Sequence, residues 1–225
     1  MKRQRGIEIL DDRTVDPEIV QRAMRDVATA NTLLGGKRAA LAEVVPALRD
    51  VGSVATLLDV GTGRGDIPRA IRAEAQSDGI ELHTFGMDMS MCLLTSQRSA
   101  HDAVLAGDAR CIPLRDKSVD VVLASQILHH FRGDDAISFL RELNRIARSR
   151  VVISDLRRSV VAAAGFWIGS FTLRFHPVTR HDGVVSVMRG FLPEELEDLV
   201  MQATGQRPAV HRRIGFRITA SWKPR

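Results

Sequence analysis

Between Ala55 and Asp155, short apolar runs alternate with stretches in which apolar residues recur every three or four positions. The runs TLLDV (56–60), HTFGMD (83–88), AVLAGD (103–108), VDVVLAS (119–125) and RVVISD (150–155) predict strands, and four of the five carry an aspartate at or near their end. Helical spacing over 66–77, 90–99 and 134–148 fills the gaps. This alternation predicts an α/β fold with right-handed crossovers and a mainly parallel sheet, whose ligand site lies at the carboxyl ends of the strands. The aspartates fall at those ends.

On either side of this region the pattern changes. Asp16-Pro17-Glu18 reads as a helix start, with an N-cap, a proline at the first helical position and an acid in the first turn. That helix runs to the break at Gly35-Gly36, and a second follows over 37–48. Beyond 155 we expect an apolar helix over 160–175, a loop from Pro177 to Gly183, a helix over 192–203, and a closing hairpin built from His211-Arg212-Arg213 and IGFRITASW. Residues 1–52 are thus a helical extension that lids or lines an acceptor pocket. Residues 53–225 form the main domain, with 157–191 as an acceptor-pocket insertion before the last strands.

Composition narrows the function classes. At 225 residues one hydrophobic core suffices, and no apolar run approaches the roughly 18 residues of a membrane span. The longest, VVAAAGFWIGSF, excludes an integral membrane protein, and the start MKRQRGIEILDD lacks the apolar segment of a leader, so the expected location is the cytoplasm. Cys92 and Cys111 have no metal-like spacing and read as reduced packing residues. The net charge of +5 is spread as pairs such as Arg157-Arg158, without a basic run interleaved with aromatics, so no nucleic-acid partner is expected. Nothing in the pattern excludes a homodimer.

The sharpest motif is LLDVGTGRGDIP (57–68). Gly61, Gly63 and Gly65 let the chain turn tightly and bring its backbone against a ligand. No Gly-Lys-Ser/Thr follows, so it is not a P-loop. The spacing is not GxGxxG, and Asp66 would repel a pyrophosphate, which argues against a dinucleotide. A ligand with a positive centre and no phosphate suits it better.

Together with GMDMS (86–90), GDARCIPLRDKSVDVVLASQILHHF (107–131) and ELNRIARSRVVISDL (142–156), the motif makes residues 55 to 156 resemble the class I S-adenosylmethionine-dependent methyltransferases. The resemblance implies a Rossmann-like, mainly parallel seven-stranded sheet with helices on both faces, and S-adenosylmethionine as cofactor. It implies that Asp59, Gly61, Thr62 and Gly63 hold the methionine part and that Asp88 takes both ribose hydroxyls. Met89 would lie on the adenine face, Asp108 would accept from its amino group, the Ala109 amide would meet a ring nitrogen, and Ser125 and Gln126 would end near the sulfonium methyl.

The acceptor is argued from the residues around that methyl. A hydroxyl acceptor has to lose a proton, and His129, His130 and His181 are the candidate bases, because histidine titrates near neutrality. The Asn/Asp-Pro-Pro-Tyr/Phe signature of amino-group methylation is absent, as is a positioned cysteine nucleophile; no metal ligands are identified. The apolar stretch AAAGFWIGSFTLRF suits the lining of a greasy pocket, and the combination of NTLLGGKRA (31–39), SDLRRS (154–159) and TRHDGVVSVMRGF (179–191) resembles a bacterial methyltransferase subgroup of quinone, phenolic-lipid or polyketide-type products. A small aromatic or lipid-like acceptor methylated on oxygen is the first expectation. Methylation of a quinone-type ring carbon is the second, and an RNA or protein acceptor the third.

Overall fold

Apolar residues on both faces of the central strands require cover on both sides, and the helices supply it. The computed structural model describes residues 3, 6–12, 14–95 and 100–225. In chain order it contains α1 (Pro17–Leu33), α2 (Gly36–Val51), β1 (Val54–Val60), α3 (Asp66–Ser77), β2 (Glu81–Asp88), α4 (Met91–Thr95), β3 (Ala103–Ala106), β4 (Val119–Ser125), α5 (Gly133–Ile146), β5 (Ala147–Leu156), α6 (Val160–Thr172), α7 (Pro177–Arg189), α8 (Pro193–Thr204), β6 (Ala209–Arg213) and β7 (Arg217–Trp222).

The seven strands lie in the order β3-β2-β1-β4-β5-β7-β6. All neighbours run parallel except β7, which is antiparallel to both β5 and β6. The chain leaves β1 towards β2 and β3 on one side, then returns to add β4 on the other. That reversal opens a crevice at the carboxyl ends of β1 and β4, the place where open α/β sheets bind ligands.

Burial explains the two layers. On one face α5 buries Phe139, Leu140, Leu143 and Ile146 beside Leu196 and Val200 of α8. On the other, Ile67, Ile71 and Ala75 of α3 pack with Ala40, Val44 and Leu48 of α2. The second helix of the N-terminal extension therefore shares the core beneath the sheet. α1 opens with the expected cap, the Asp16 side chain accepting from the Glu18 amide.

Two expectations are corrected. Residues 177–183 are not a loop: they begin α7, a 13-residue helix. Its β-branched residues and Gly183 hide helical periodicity, and tertiary contacts supply the stability. Asp26 of α1 accepts from the His176 amide at 2.7 Å and from the Thr179 hydroxyl at 3.0 Å. Cys111, read as a packing residue, is an exposed free thiol; the Cys92 side chain and residues 96–99 of the expected helix over 90–99 lie outside the described set.

Gly183 lets α6 and α7 approach closely, because a Cβ there would run into the Phe166 ring. Gly183→Ala should therefore destabilise the protein by about 1–3 kcal/mol in urea unfolding, the usual cost of overpacking. An unchanged midpoint would show that Phe166 moves aside freely.

Candidate functional site

β1 ends in Asp59-Val60, and the chain then turns at Gly61 and Gly63, both with positive φ. The turn is tied to the end of β2: the Gly61 and Thr62 amides both donate to the Met87 carbonyl, at 2.8 and 3.0 Å. A Cβ at Gly63 would meet nothing within 4 Å, so its backbone borders open space. The Gly63 amide donates to Asp88 Oδ2 at 3.0 Å and the Ser90 amide to Oδ1 at 2.9 Å, which fixes the Asp88 carboxylate at the edge of that space.

Two polar atoms bordering the same space, Asp59 Oδ1 and Ser125 Oγ, are buried and lack a hydrogen-bond partner among the described residues. Such orphans are rare in folded proteins and point to a ligand. Burial, reinforced by the charges of Asp66 and Asp88 and opposed by the Thr62 hydroxyl, pushes the Asp59 carboxyl up to about 7. Gln126 follows β4 with φ of 54°, a left-handed conformation that non-glycine residues hold only under constraint. Its side chain is gripped from both sides, donating to Asn31 Oδ1 and accepting from Arg217. Arg217 is fully buried, and burial pushes its guanidinium down to about 10.

Opposite the glycine turn stands a histidine pair after β4. His129 Nδ1 lies 2.7 Å from Asp155 Oδ1, and the His129 amide donates to Oδ2 at 3.1 Å. Burial raises the Asp155 carboxyl, but the His129 charge and hydrogen bonds from His129 and Leu156 outweigh it and hold it below its ordinary value. An ionised carboxylate only accepts, so Nδ1 carries the proton in this pair, and Nε2 turns to the cavity side, 3.7 Å from Glu8 Oε1. His130 differs. Burial lowers it, yet the Asp11 hydrogen bond and the charges of Glu8, Asp11 and Asp155 raise it above its ordinary value overall.

The N-terminal segment lies along α7. Asp182 accepts from the Ile9 and Leu10 amides, Ser186 donates to Glu8, and Arg189 pairs with Glu8 and Asp11 at 2.9 Å each. Glu8, His129 and His130 have ligand atoms within 4.8 Å of one another. Arg189 already places a guanidinium in that cluster.

Asp59, Asp88, Gln126, His129, His130 and Glu8 border one cavity of about 660 Å³, within the usual range for a small-molecule site; Asp155 and Arg189 stand behind its lining. Its polar end holds Asp59, Asp88 and the glycine turn. Its far end is walled by α6 and α7, with Phe166, Leu173 and Phe175. Residues 58–153, which hold the glycine turn, Asp88 and the histidine pair, match the family model described as a methyltransferase domain. These residues form a methyltransferase domain, and the sheet around them has the fold of S-adenosylmethionine-dependent methyltransferases.

An uncharacterized methyltransferase of Schizosaccharomyces pombe is 29 % identical over 98 residues, 44 % of this chain and 37 % of that protein, so the chain spans well under half the length of this curated relative. An S-adenosylmethionine-dependent methyltransferase from Aquifex aeolicus shares the fold with a TM-score of 0.61 at 17 % identity, covering 94 % of this chain and all of that one. An O-methyltransferase family 2 protein from Planctomyces limnophilus, solved with apigenin, aligns with a TM-score of 0.66 at 15 % identity, over 95 % of this chain and 63 % of that one.

Within the methyltransferase domain, Asp59, Gly61, Thr62, Gly63, Asp88, Ser125, Gln126, His129 and His130 all border the cavity. Met89, Asp108, Ala109 and His181 do not. Asp108 forms a bidentate pair with Arg110 at 2.6 and 3.0 Å, and Ala109 is buried in the core. His181 is half-exposed and pairs with Asp182. Sequence reasoning missed Asn31, Glu8 and Arg217, whose partners are distant in the chain. Asp155 was visible as a strand-end aspartate but gave no sign of its histidine.

A ligand cation beside Asp59 favours the carboxylate. S-adenosylmethionine affinity, measured by calorimetry, should be level above about pH 7 and weaken by up to about tenfold per pH unit below it. For the protein alone the sign is opposite: a raised carboxyl contributes stability that is present at low pH and lost as pH rises through about 7. Asp59→Asn should flatten the affinity profile, and an unchanged slope would assign it to another group.

Proposed function

We propose that this protein methylates the hydroxyl of a small aromatic, phenolic or polyketide-type molecule, with His129 as the base. The observation that carries this reading is that His129, paired with the buried Asp155 behind it, borders the same cavity as the glycine turn. The fit to the cofactor rests on the orphaned Asp59 Oδ1, the open backbone at Gly63 and the Asp88 carboxylate held by two amides. Asp59 and the turn would hold the amino-acid end, and Asp88 the ribose. Bound there, S-adenosylmethionine supplies an electrophilic methyl group and leaves as a neutral thioether.

The chain's own residues then position the acceptor and move one proton. His129 Nε2 would take the hydroxyl proton of the acceptor as its oxygen is methylated. Asp155 stabilises the imidazolium that forms, as a buried carboxylate does for a catalytic histidine. His130 faces Asp11 and Glu8 through its two ring nitrogens and has no buried carboxylate partner of the Asp155 kind. His181 stands outside the cavity and orients the N-terminal segment through Asp182. α1, with Asn31 facing Gln126 and Asp66, covers the polar end, and the 157–191 segment walls the apolar end. That lining suits an aromatic or lipid-like acceptor, and an O-methyltransferase of the same fold holds apigenin.

His129→Asn and Asp155→Asn should each lower kcat by about 10²- to 10⁴-fold, the range for loss of a general base, with S-adenosylmethionine affinity unchanged. The check is turnover on a panel of phenols, with the methyl position of the product read by NMR. A methyl on a ring carbon, or full activity without His129, would contradict the reading.

A further inference from the structure

α6 is apolar on every side. Its sequence VVAAAGFWIGSFT contains only two polar side chains, Ser170 and Thr172. One face closes the cavity through Val161, Ala162, Phe166 and Gly169. The opposite face is bare: Ile168 is 68 % exposed, and Trp167 and Phe171 stand beside it in edge contact. A helix that is hydrophobic all round is normally buried in a core or a membrane. At 13 residues this one is about 20 Å long, and no helix among the described residues is long and apolar enough to cross a bilayer.

Two more apolar tips meet the start of α6 at the cavity mouth. The Arg157 amide donates to the Phe216 carbonyl at 2.8 Å, which brings the β6–β7 turn against the segment entering α6. Gly215 of that turn packs on the Leu34 carbonyl so closely that a Cβ could not fit. At this junction Ile214 is 80 %, Val161 71 % and Leu33 58 % exposed. Leu34, Gly215 and Phe216 line the cavity just inside.

Each tip sits in a stretch with basic residues and no acid. Residues 27–38 end in Lys37-Arg38, residues 211–217 contain three arginines, and residues 157–181 contain four. Arg38, Arg174 and Arg212 are exposed, and Arg180 lies over the Phe171 ring at 4.2 Å. The nearby acids are engaged: Asp26 with His176 and Thr179, Asp66 with Lys37, and Glu43 with Arg213. Exposed apolar and aromatic residues flanked by the exposed Arg38, Arg174 and Arg212 complement an anionic bilayer surface; Arg158, Arg213 and Arg217 are engaged with Glu195, Glu43 and Gln126 and take no part. A second copy of the same face would bring arginine against arginine.

We propose that the cavity mouth docks on an anionic lipid bilayer, with the outer face of α6 and the tips at Leu33 and Ile214 entering the headgroup region. An apolar acceptor then passes from the bilayer into the cavity without crossing water. What is delivered rests on the small-molecule reading above, but the docking itself does not.

The full chain should co-sediment with vesicles of phosphatidylglycerol and phosphatidylcholine, and not with phosphatidylcholine alone. Salt should weaken the binding, and the Trp167 emission should shift to the blue. The Ile168→Glu, Ile214→Glu double variant alters exposed residues outside the cavity lining. It should partition roughly tenfold or more weakly, with S-adenosylmethionine binding unchanged. Equal sedimentation of the variant would overturn the proposal. So would a solution dimer broken by the same substitutions in a protein that ignores both vesicles. Vesicle binding by a protein inactive on every phenol would support the docking and remove only the acceptor reading.

Discussion

The Met87 carbonyl, accepting from two successive amides of the glycine turn, fixes the end of β1 to the end of β2. That tie places Asp59 and Asp88 on the same side of the crevice and leaves the Gly63 backbone facing open space. Side chains at 61 and 63 would have to adopt positive φ, and one at 61 would collide with Ile127. The turn is therefore a geometric requirement of the sheet's switch point, and the charged groups around it inherit their positions from it.

Electrostatics divides the cavity into two chemically different ends. Near the turn, Asp59 is pushed towards neutrality by burial and by neighbouring carboxylates, a cost that a cationic ligand relieves. Near α7 the opposite holds: Asp155 stays ionised despite complete burial, because His129 and backbone amides satisfy it. The first end is prepared for a positive charge that arrives with a ligand. Under the proposed function, the second stabilises one that appears when a proton is taken.

The half of the site built from neighbouring segments was legible in the sequence. Glycine spacing, strand-end aspartates and the order of the motifs placed the turn, Asp88 and the histidine pair, because each is fixed by a strand and the residue that follows it. The sheet, its hairpin and the capped α1 were legible for the same reason. What the sequence hid depends on distant pairing. Glu8 reaches His129 across 121 positions, Gln126 is held by Asn31 and Arg217, and α7 owes its helix to Asp26 rather than to periodicity. Met89 and Asp108 were placed by resemblance alone. In the structure Met89 is half-exposed and Asp108 pairs with Arg110.

The most direct test of the account is calorimetric titration of S-adenosylmethionine into the protein and into Asp88→Ala, with NAD as the control ligand. The account predicts one equivalent of S-adenosylmethionine bound, no heat from NAD, and a loss of about 1.5–3 kcal/mol on removing the Asp88 carboxylate. Absence of binding, or equal affinity in the variant, would contradict it.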